Sequence, residues 1–274
     1  MYLLGIRSRL VTVINDAFLV ERAEGVLTLT FDRPDAGNAM PPEAAERLIA
    51  LFGSVNNDGT TRALLVRGNG RNFSAGGDVH VFAKSLDQPI DERRADWLAR
   101  QDRLIALVEA YLAVEVPVVA ACQGGVVGAG LMYALGADFV VADGTVTFAF
   151  AHQRLGLTPD GGVSVLLPRA VGERQAAALV LTAARVGADE ALQLGLVHRL
   201  VAAGDLSDKA RAQALRFAKA PARVVRKAKA MMTQGGATAA MLLRERDAIV
   251  ESVCDPDFGE GVRAFLEKRD PSFQ

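Results

Sequence analysis

Val118-Val119-Ala120-Ala121-Cys122-Gln123-Gly124-Gly125-Val126-Val127-Gly128-Ala129-Gly130-Leu131 lies inside an uncharged run, Val116 to Ala137. At 22 residues the run is long enough to cross a bilayer as a helix. Its content argues otherwise. Pro117, Gln123 and five glycines break it into an apolar strand, a tight turn and a small-residue helix entered at about Gly128. The same alternation continues on both sides. Val26 to Phe31 (VLTLTF) is a predicted strand closed by Asp32-Arg33-Pro34, and Pro41-Pro42 opens an amphipathic helix to about Phe52, with Ala45, Leu48, Ile49 and Phe52 on one face. Ala63 to Val66 is a second strand. Asp91 to Tyr111 is a helix whose Trp97, Leu98, Leu104, Ile105 and Val108 share a face. Val118 to Cys122, Phe139 to Ala142 and Val146 to Phe148 complete an α/β pattern in which helices cover a sheet.

From Pro159 onward almost everything reads as helix. Asp205 to Ala220, Ala222 to Thr233, Ala237 to Cys254 and Asp257 to Arg269 are four successive candidates, punctuated by Pro221, Gly235-Gly236 and Pro256. No repeat or flexible linker separates this tail from the rest, so one folding unit is expected.

The 274 residues are long for a single domain of about 150 residues, and half of them are hydrophobic, which excludes a disordered chain. Thirty-one Lys and Arg against 32 Asp and Glu leave a net charge of −1, so no overall positive field holds nucleic acid or an anionic membrane. Two cysteines, Cys122 and Cys254, and three histidines argue against a disulfide framework or a zinc site. Met1 to Ala17 is only mildly apolar, is interrupted by Arg7 and Arg9, and lacks a cleavage pattern. A cytoplasmic protein is expected.

Two glycine-rich turns carry the chemical interest. One is Arg67-Gly68-Asn69-Gly70-Arg71-Asn72-Phe73-Ser74-Ala75-Gly76-Gly77-Asp78, in which small residues leave the N–H groups of Ala75 to Gly77 open to approach. The other is Cys122 to Leu131, which enters a helix and so offers unpaired N–H donors and the positive end of its dipole. Two such donors on one carbonyl oxygen would stabilise an enolate by about 3–4 kcal/mol each. Taken separately, either cluster is equally well a tight turn. Neither matches a nucleotide-phosphate motif.

Taken together they have company: Phe31-Asp32-Arg33-Pro34 and Asn38-Ala39 precede them. Gly156-Leu157-Thr158-Pro159-Asp160-Gly161-Gly162, Leu167-Pro168-Arg169, Ala191 to Val197 and Glu260 to Arg269 follow. In this order and spacing, from about Phe18 to Phe273, the chain resembles the enoyl-CoA hydratase/isomerase (crotonase) superfamily. The resemblance implies a β-β-α spiral core over residues 18–200, a helical region over 201–274 that builds trimers or dimers of trimers, and an N-terminal extension over 1–17. It implies an acyl-CoA thioester substrate, with coenzyme A as part of the substrate and no separate cofactor or metal. Carried over by position, the oxyanion donors fall on Gly77 and Ala129. The nucleotide would lie along Arg33, Ala36 and Asn38 and along Ala75, Gly76, Asp78, Val79 and His80. Phe258 and Lys268 of the tail would reach the pocket, their own or a neighbour's, and Lys268 is equally well a solvated helix-end cation.

Members that add water resemble one another in carrying two glutamates. At those positions this chain has Met132, which moves no proton, and His152. The remaining candidate acid–base group is Asp160, which resembles the aspartate of the Gly-Leu-x-Pro-Asp motif in superfamily isomerases, including ring-opened epoxyphenylacetyl-CoA isomerases; an N-cap of the following helix is the plainer reading. Met132, Phe148, Phe150 and Leu155 would form an apolar pocket whose burial raises the Asp160 pKa. His152 is either a second acid–base group or a packed imidazole. His80 is expected at the rim, and His198 and Asp138 in structural roles. The reading is an isomerase that shifts a double bond through a thioester enolate. The alternatives are a hydratase using His152 or Asp160, a hydrolase, a dehalogenase with Asp160 as nucleophile, and a non-catalytic acyl-CoA binder.

Overall fold

The computed structural model describes residues 10–15, 17–41, 43–233 and 239–272. Most of the expected N-terminal extension, together with Pro42, Gly235-Gly236, Ala237 and Phe273, lies outside the described residues. The chain opens with β1 (Leu10–Asn15), β2 (Phe18–Ala23) and β3 (Val26–Phe31), then α1 (Ala44–Asn57), β4 (Ala63–Gly68), α2 (Val79–Ser85) and α3 (Ile90–Leu112). Next come β5 (Val118–Cys122), β6 (Gly125–Val127), α4 (Ala129–Leu135), β7 (Phe139–Asp143), β8 (Thr147–Ala149) and a single helical turn at His152–Leu155. The remainder is α5 (Val163–Val171), α6 (Glu173–Leu181), β9 (Arg185–Gly187), α7 (Ala188–Gln193), β10 (Arg199–Val201), α8 (Leu206–Ala218), α9 (Ala222–Thr233), α10 (Ala239–Ser252) and α11 (Pro256–Glu267).

A seven-stranded sheet has the order β1-β2-β3-β4-β5-β7-β10. Its first three strands pair antiparallel, and every pairing from β3 to β10 is parallel. Strand β1 therefore draws Leu10–Asn15, assigned above to the extension, into the sheet. The second sheet, β6-β8-β9, pairs β6 with β8 parallel and β8 with β9 antiparallel.

Strands β4 and β5 read as continuous apolar runs because both of their faces are covered. Leu64, Val66, Val118, Ala120 and Cys122 enter the main core with Phe52, Tyr111 and Tyr133. The alternate residues Ala63, Leu65, Val119 and Ala121 face Leu206, Ala210, Ala214 and Ala218 of α8. The uncharged run Val116 to Ala137 thus folds as strand, turn, short strand and helix, and no helix of the described residues is long and apolar enough to cross a membrane.

The structure corrects three local expectations. The helix expected at Pro41-Pro42 begins at Ala44 and runs on to Asn57. On α3 the buried residues are Trp97, Gln101, Leu107, Val108 and Tyr111, a stripe that leaves Leu98 exposed. The region after Pro159 also contains β9 and β10, three-residue strands created by pairing to β8 and β7 and too short to show periodicity.

A third cluster joins Phe82 of α2, Trp97 of α3, Ile249 and Val250 of α10, and Phe258 and Val262 of α11. The C-terminal helices therefore fold back onto the core of their own chain. Helix α11 meets the His152–Leu155 turn through Gly261, where an added Cβ would lie 2.5 Å from the Leu155 carbonyl carbon. Replacing Gly261 with Ala must push α11 off that turn. The expected loss is about 1–3 kcal/mol of stability in urea unfolding, and an unchanged midpoint would contradict this packing.

Candidate active site

The site forms where the chain leaves the carboxyl ends of the neighbouring parallel strands β4 and β5, the usual place for a ligand in such sheets. The two glycine-rich turns are stitched together there. Phe73 N–H donates to the Gln123 carbonyl at 2.7 Å, Ser74 N–H to Gly125 at 3.1 Å, and Val127 N–H to Ser74 at 3.0 Å. Asn72 Oδ1 accepts from Gly125 N–H at 2.9 Å, and Gln123 Nε2 donates to the Gly68 carbonyl at 2.7 Å. Ser74 and Val126 form an isolated parallel bridge.

This pairing brings backbone against backbone. A Cβ on Gly76 would meet Gly128 Cα at 2.9 Å and Ala129 N at 3.2 Å, and one on Gly128 would lie 3.7 Å from Gly77 N. Gly128 also takes φ 50° and ψ −122°, a conformation that only glycine enters readily. Of the three N–H groups expected to be open, that of Ala75 donates to the Gly37 carbonyl and that of Gly76 to Ser74 Oγ. Gly77 and Ala129 are left, close together, with no acceptor among the described residues.

The Gly161 Cβ position is 3.8 Å from Met132 Cβ, one helical turn beyond Ala129, so the Asp160 turn packs on the fully buried Met132. Asp160 is not an N-cap: α5 starts at Val163 with Gly162 as its cap residue. Its side chain, 18% exposed, lies 3.6 Å from His152 Nε2, beyond hydrogen-bond reach. Its Oδ2 accepts from Gln101 Nε2 at 3.1 Å. Burial pushes the Asp160 pKa up, but the nearby His152 imidazole, the Gln101 hydrogen bond and the Arg100 charge outweigh it, and the net direction is down from 3.8. The expectation of a raised pKa is therefore wrong: burial is one influence among several. Asp160 is ionised at neutral pH, and the stability this provides is lost only as pH falls below 3.8. His152, with 9% of its side chain exposed, has both ring nitrogens buried without a hydrogen-bond partner among the described residues, as does the Thr158 hydroxyl.

Three site residues were not singled out from the sequence. Gln101 is 2% exposed and orients Asp160. Glu245 of α10, 7% exposed, accepts from Gly162 N–H at 2.7 Å and Ser164 N–H at 2.8 Å, so it caps α5 from a remote helix. Arg100 lies over the Phe82 ring at 4.7 Å, and its Nη2 is 3.1 Å from the Cβ position of Gly77. All three sit where tertiary folding delivers a helix face, and no local motif marks them.

The residues expected along the nucleotide divide. Ala36, Ala75 and His80 are exposed, Val79 is half-buried, and Asp78 caps α2 by accepting from His80 N–H at 3.0 Å. Asn38 is buried. Its Nδ2 donates to the Asn69 and Asn72 carbonyls and its Oδ1 accepts from Arg33 N–H, so its side chain is spent on joining loops and is not free for a ligand. The Arg33 guanidinium donates to the Ala39 carbonyl at 3.0 Å. Phe258 is fully buried in its own chain, edge-on to Trp97 at 5.3 Å, which removes it from a neighbour's pocket. Lys268 ends α11 in the left-handed region and is exposed. Phe148 and Phe150 are fully buried and Leu155 half-buried. His198 Nδ1 accepts from Val140 N–H and Asp138 accepts from Val118 N–H, both structural roles.

The chain is similar to known proteins along nearly its whole length. The enoyl-CoA hydratase/isomerase family model matches residues 21–274. A probable enoyl-CoA hydratase of Rhodobacter capsulatus is 34% identical over 92% of this chain and 96% of its own. The 1,2-epoxyphenylacetyl-CoA isomerase of Escherichia coli is 33% identical over 93% of this chain and 98% of its own. A crystal structure of an enoyl-CoA hydratase/isomerase from Pseudoalteromonas atlantica superposes with a TM-score of 0.83 at 30% identity, covering 94% of this chain and all (100%) of that one.

Replacing Glu245 with Ala strips the acceptor from two amides, one of them buried, at the turn that carries Asp160. The expected cost is about 1–3 kcal/mol by thermal unfolding, and a variant as stable as the parent would contradict the capping role.

Proposed function

The chain belongs to the enoyl-CoA hydratase/isomerase family, and on that premise we propose that it moves a double bond in an acyl-CoA thioester from the 3- to the 2-position. The observation that carries this reading is the state of the carboxylates. The turn that carries Asp160 packs on Met132, and the carboxylate accepts one hydrogen bond, from Gln101, whereas nearby Glu245 has both oxygens engaged by backbone amides. One free carboxylate suffices for a 1,3-proton shift. Asp160, ionised at neutral pH, removes the proton alpha to the thioester carbonyl. The electron pair moves onto the carbonyl oxygen, which accepts hydrogen bonds from Gly77 and Ala129 N–H. Asp160, now a carboxylic acid, returns the proton at the gamma carbon, and the 2-enoyl thioester leaves. No water is consumed.

A second reading, addition of water to a 2-enoyl-CoA, draws on His152. Its two unpartnered buried nitrogens beside Asp160 form a polar niche able to orient a water molecule. The buried Met132 weighs against it, because that side of the site then lacks a second group able to move a proton.

Replacing Asp160 with Asn is expected to lower kcat on a short 3-enoyl-CoA by about 10²–10⁴-fold while KM changes little. Full activity in that variant would overturn the assignment. The pH profile supplies an independent check. In the parent the acid limb of kcat/KM set by Asp160 lies below 3.8. His152→Asn removes the largest opposing influence on Asp160, and the limb moves up in pH. A limb that stays put, or moves down, would contradict the coupling.

A further inference from the structure

Arg100 is a cation that no carboxylate of the described residues meets in an ion pair. It projects from α3 to the reactive centre, where its Nη2 is 3.1 Å from the Gly77 Cβ position and its charge acts on Asp160 and Asp78. Its guanidinium rests on aromatic faces, 4.7 Å from the Phe82 centroid and 5.6 Å from that of Trp97. It makes no hydrogen bond or ion pair with any of the described residues. Burial is the largest influence on it and disfavours its charged form. A guanidinium in that setting keeps five N–H donors in a planar fork, with few groups on which to use them.

The same side chain lines a cavity of about 430 Å³ between α2 and α3. Phe82 and Trp97 supply its apolar wall, and Lys84, Arg100 and Arg103 face a single carboxylate, Asp96, which accepts from Gln88 Nε2 at 2.6 Å. Neither Lys84 nor Arg103 has an ion pair among the described residues. The cavity is thus net positive at its charged rim, apolar along one wall, and shares Arg100 with the oxyanion site. A purely hydrocarbon acyl chain would leave the N–H donors of that buried guanidinium without an acceptor, only the Asp160 and Asp78 charges acting on it without a hydrogen bond, which is costly. An acyl chain ending in a carboxylate would answer it with two parallel hydrogen bonds.

We infer that Arg100 is the specificity-determining residue for an anionic acyl group, and that the substrate class is a coenzyme A monothioester of a short dicarboxylic acid. The thioester end would lie at Gly77 and Ala129 and the free carboxylate on Arg100. This rests on the acyl-CoA reading above but not on the double-bond shift, so the test uses saturated ligands that do not react.

Adipyl-CoA and hexanoyl-CoA differ only in carrying a carboxylate or a methyl at the chain end. Isothermal titration of each into the full-length protein is expected to show adipyl-CoA binding tighter by roughly 10- to 100-fold, the value of a charged hydrogen-bonded pair. In Arg100→Met the ratio falls to one or below. In Arg100→Lys, which keeps the charge but not the fork, part of the preference returns. A parent protein that binds hexanoyl-CoA as tightly as adipyl-CoA would overturn the inference. So would a preference that survives Arg100→Met but disappears in Lys84→Met. Thermal melts of each variant show that the fold is retained, and a failure of the isomerase reading would leave these binding ratios untouched.

Discussion

The pairing of the two glycine-rich turns is the constraint from which the site follows. Ser74 bridges to Val126, Asn72 and Gln123 reach across with their side-chain amides, and Gly76 touches Gly128 with no side chain between them. That contact sets the spacing of the Gly77 and Ala129 amides. The other two donors of the first turn are spent elsewhere, Ala75 N–H on the Gly37 carbonyl and Gly76 N–H on Ser74 Oγ. The parallel register of β4 and β5 holds both turns at one end of the sheet, and the two covered faces of those strands make the platform rigid.

The surroundings of Asp160 are assembled from parts distant in sequence. Helix α3 contributes Gln101 and Arg100, the Pro159-Asp160 turn contributes the carboxylate, and α10 contributes Glu245 as its anchor. Helix α11 presses on the turn that carries His152 through Gly261, while its Phe258 backs Trp97. The C-terminal helices therefore pack around the Asp160 turn of their own chain. Asp160 itself is tuned by competition: burial favours its neutral form, and His152, Gln101 and Arg100 together favour the anion more strongly.

How much of this was legible from the residues alone differs from part to part. The strand-turn-helix at Val118 to Leu131 was readable because alternation, glycine placement and lack of charge all pointed one way. The two glycine-rich turns and the turn that carries Asp160 stand out in the sequence through motifs that resemble a known family. Gln101, Arg100 and Glu245 do not, because a polar residue on a long amphipathic helix carries no local sign of what it will face. Leu98 was misplaced for a related reason, since apolar spacing defines a stripe only to within one residue on either side. Asn38 sits in a recognisable motif, but only the structure reveals that its amide is spent on the neighbouring loop. The direction of the Asp160 pKa depended on neighbours that the sequence does not bring together.

Product analysis in isotopically labelled water tests the central claim most directly. Purified enzyme would be given a short 3-enoyl-CoA in water enriched in both deuterium and oxygen-18, and the products followed by mass spectrometry. A 2-enoyl-CoA that is heavier only by exchanged hydrogen, with no oxygen-18, is the result predicted by a single carboxylate working against a two-amide oxyanion site. A 3-hydroxyacyl-CoA carrying oxygen-18 as the first product would contradict it and transfer the chemistry to the pair His152 and Asp160.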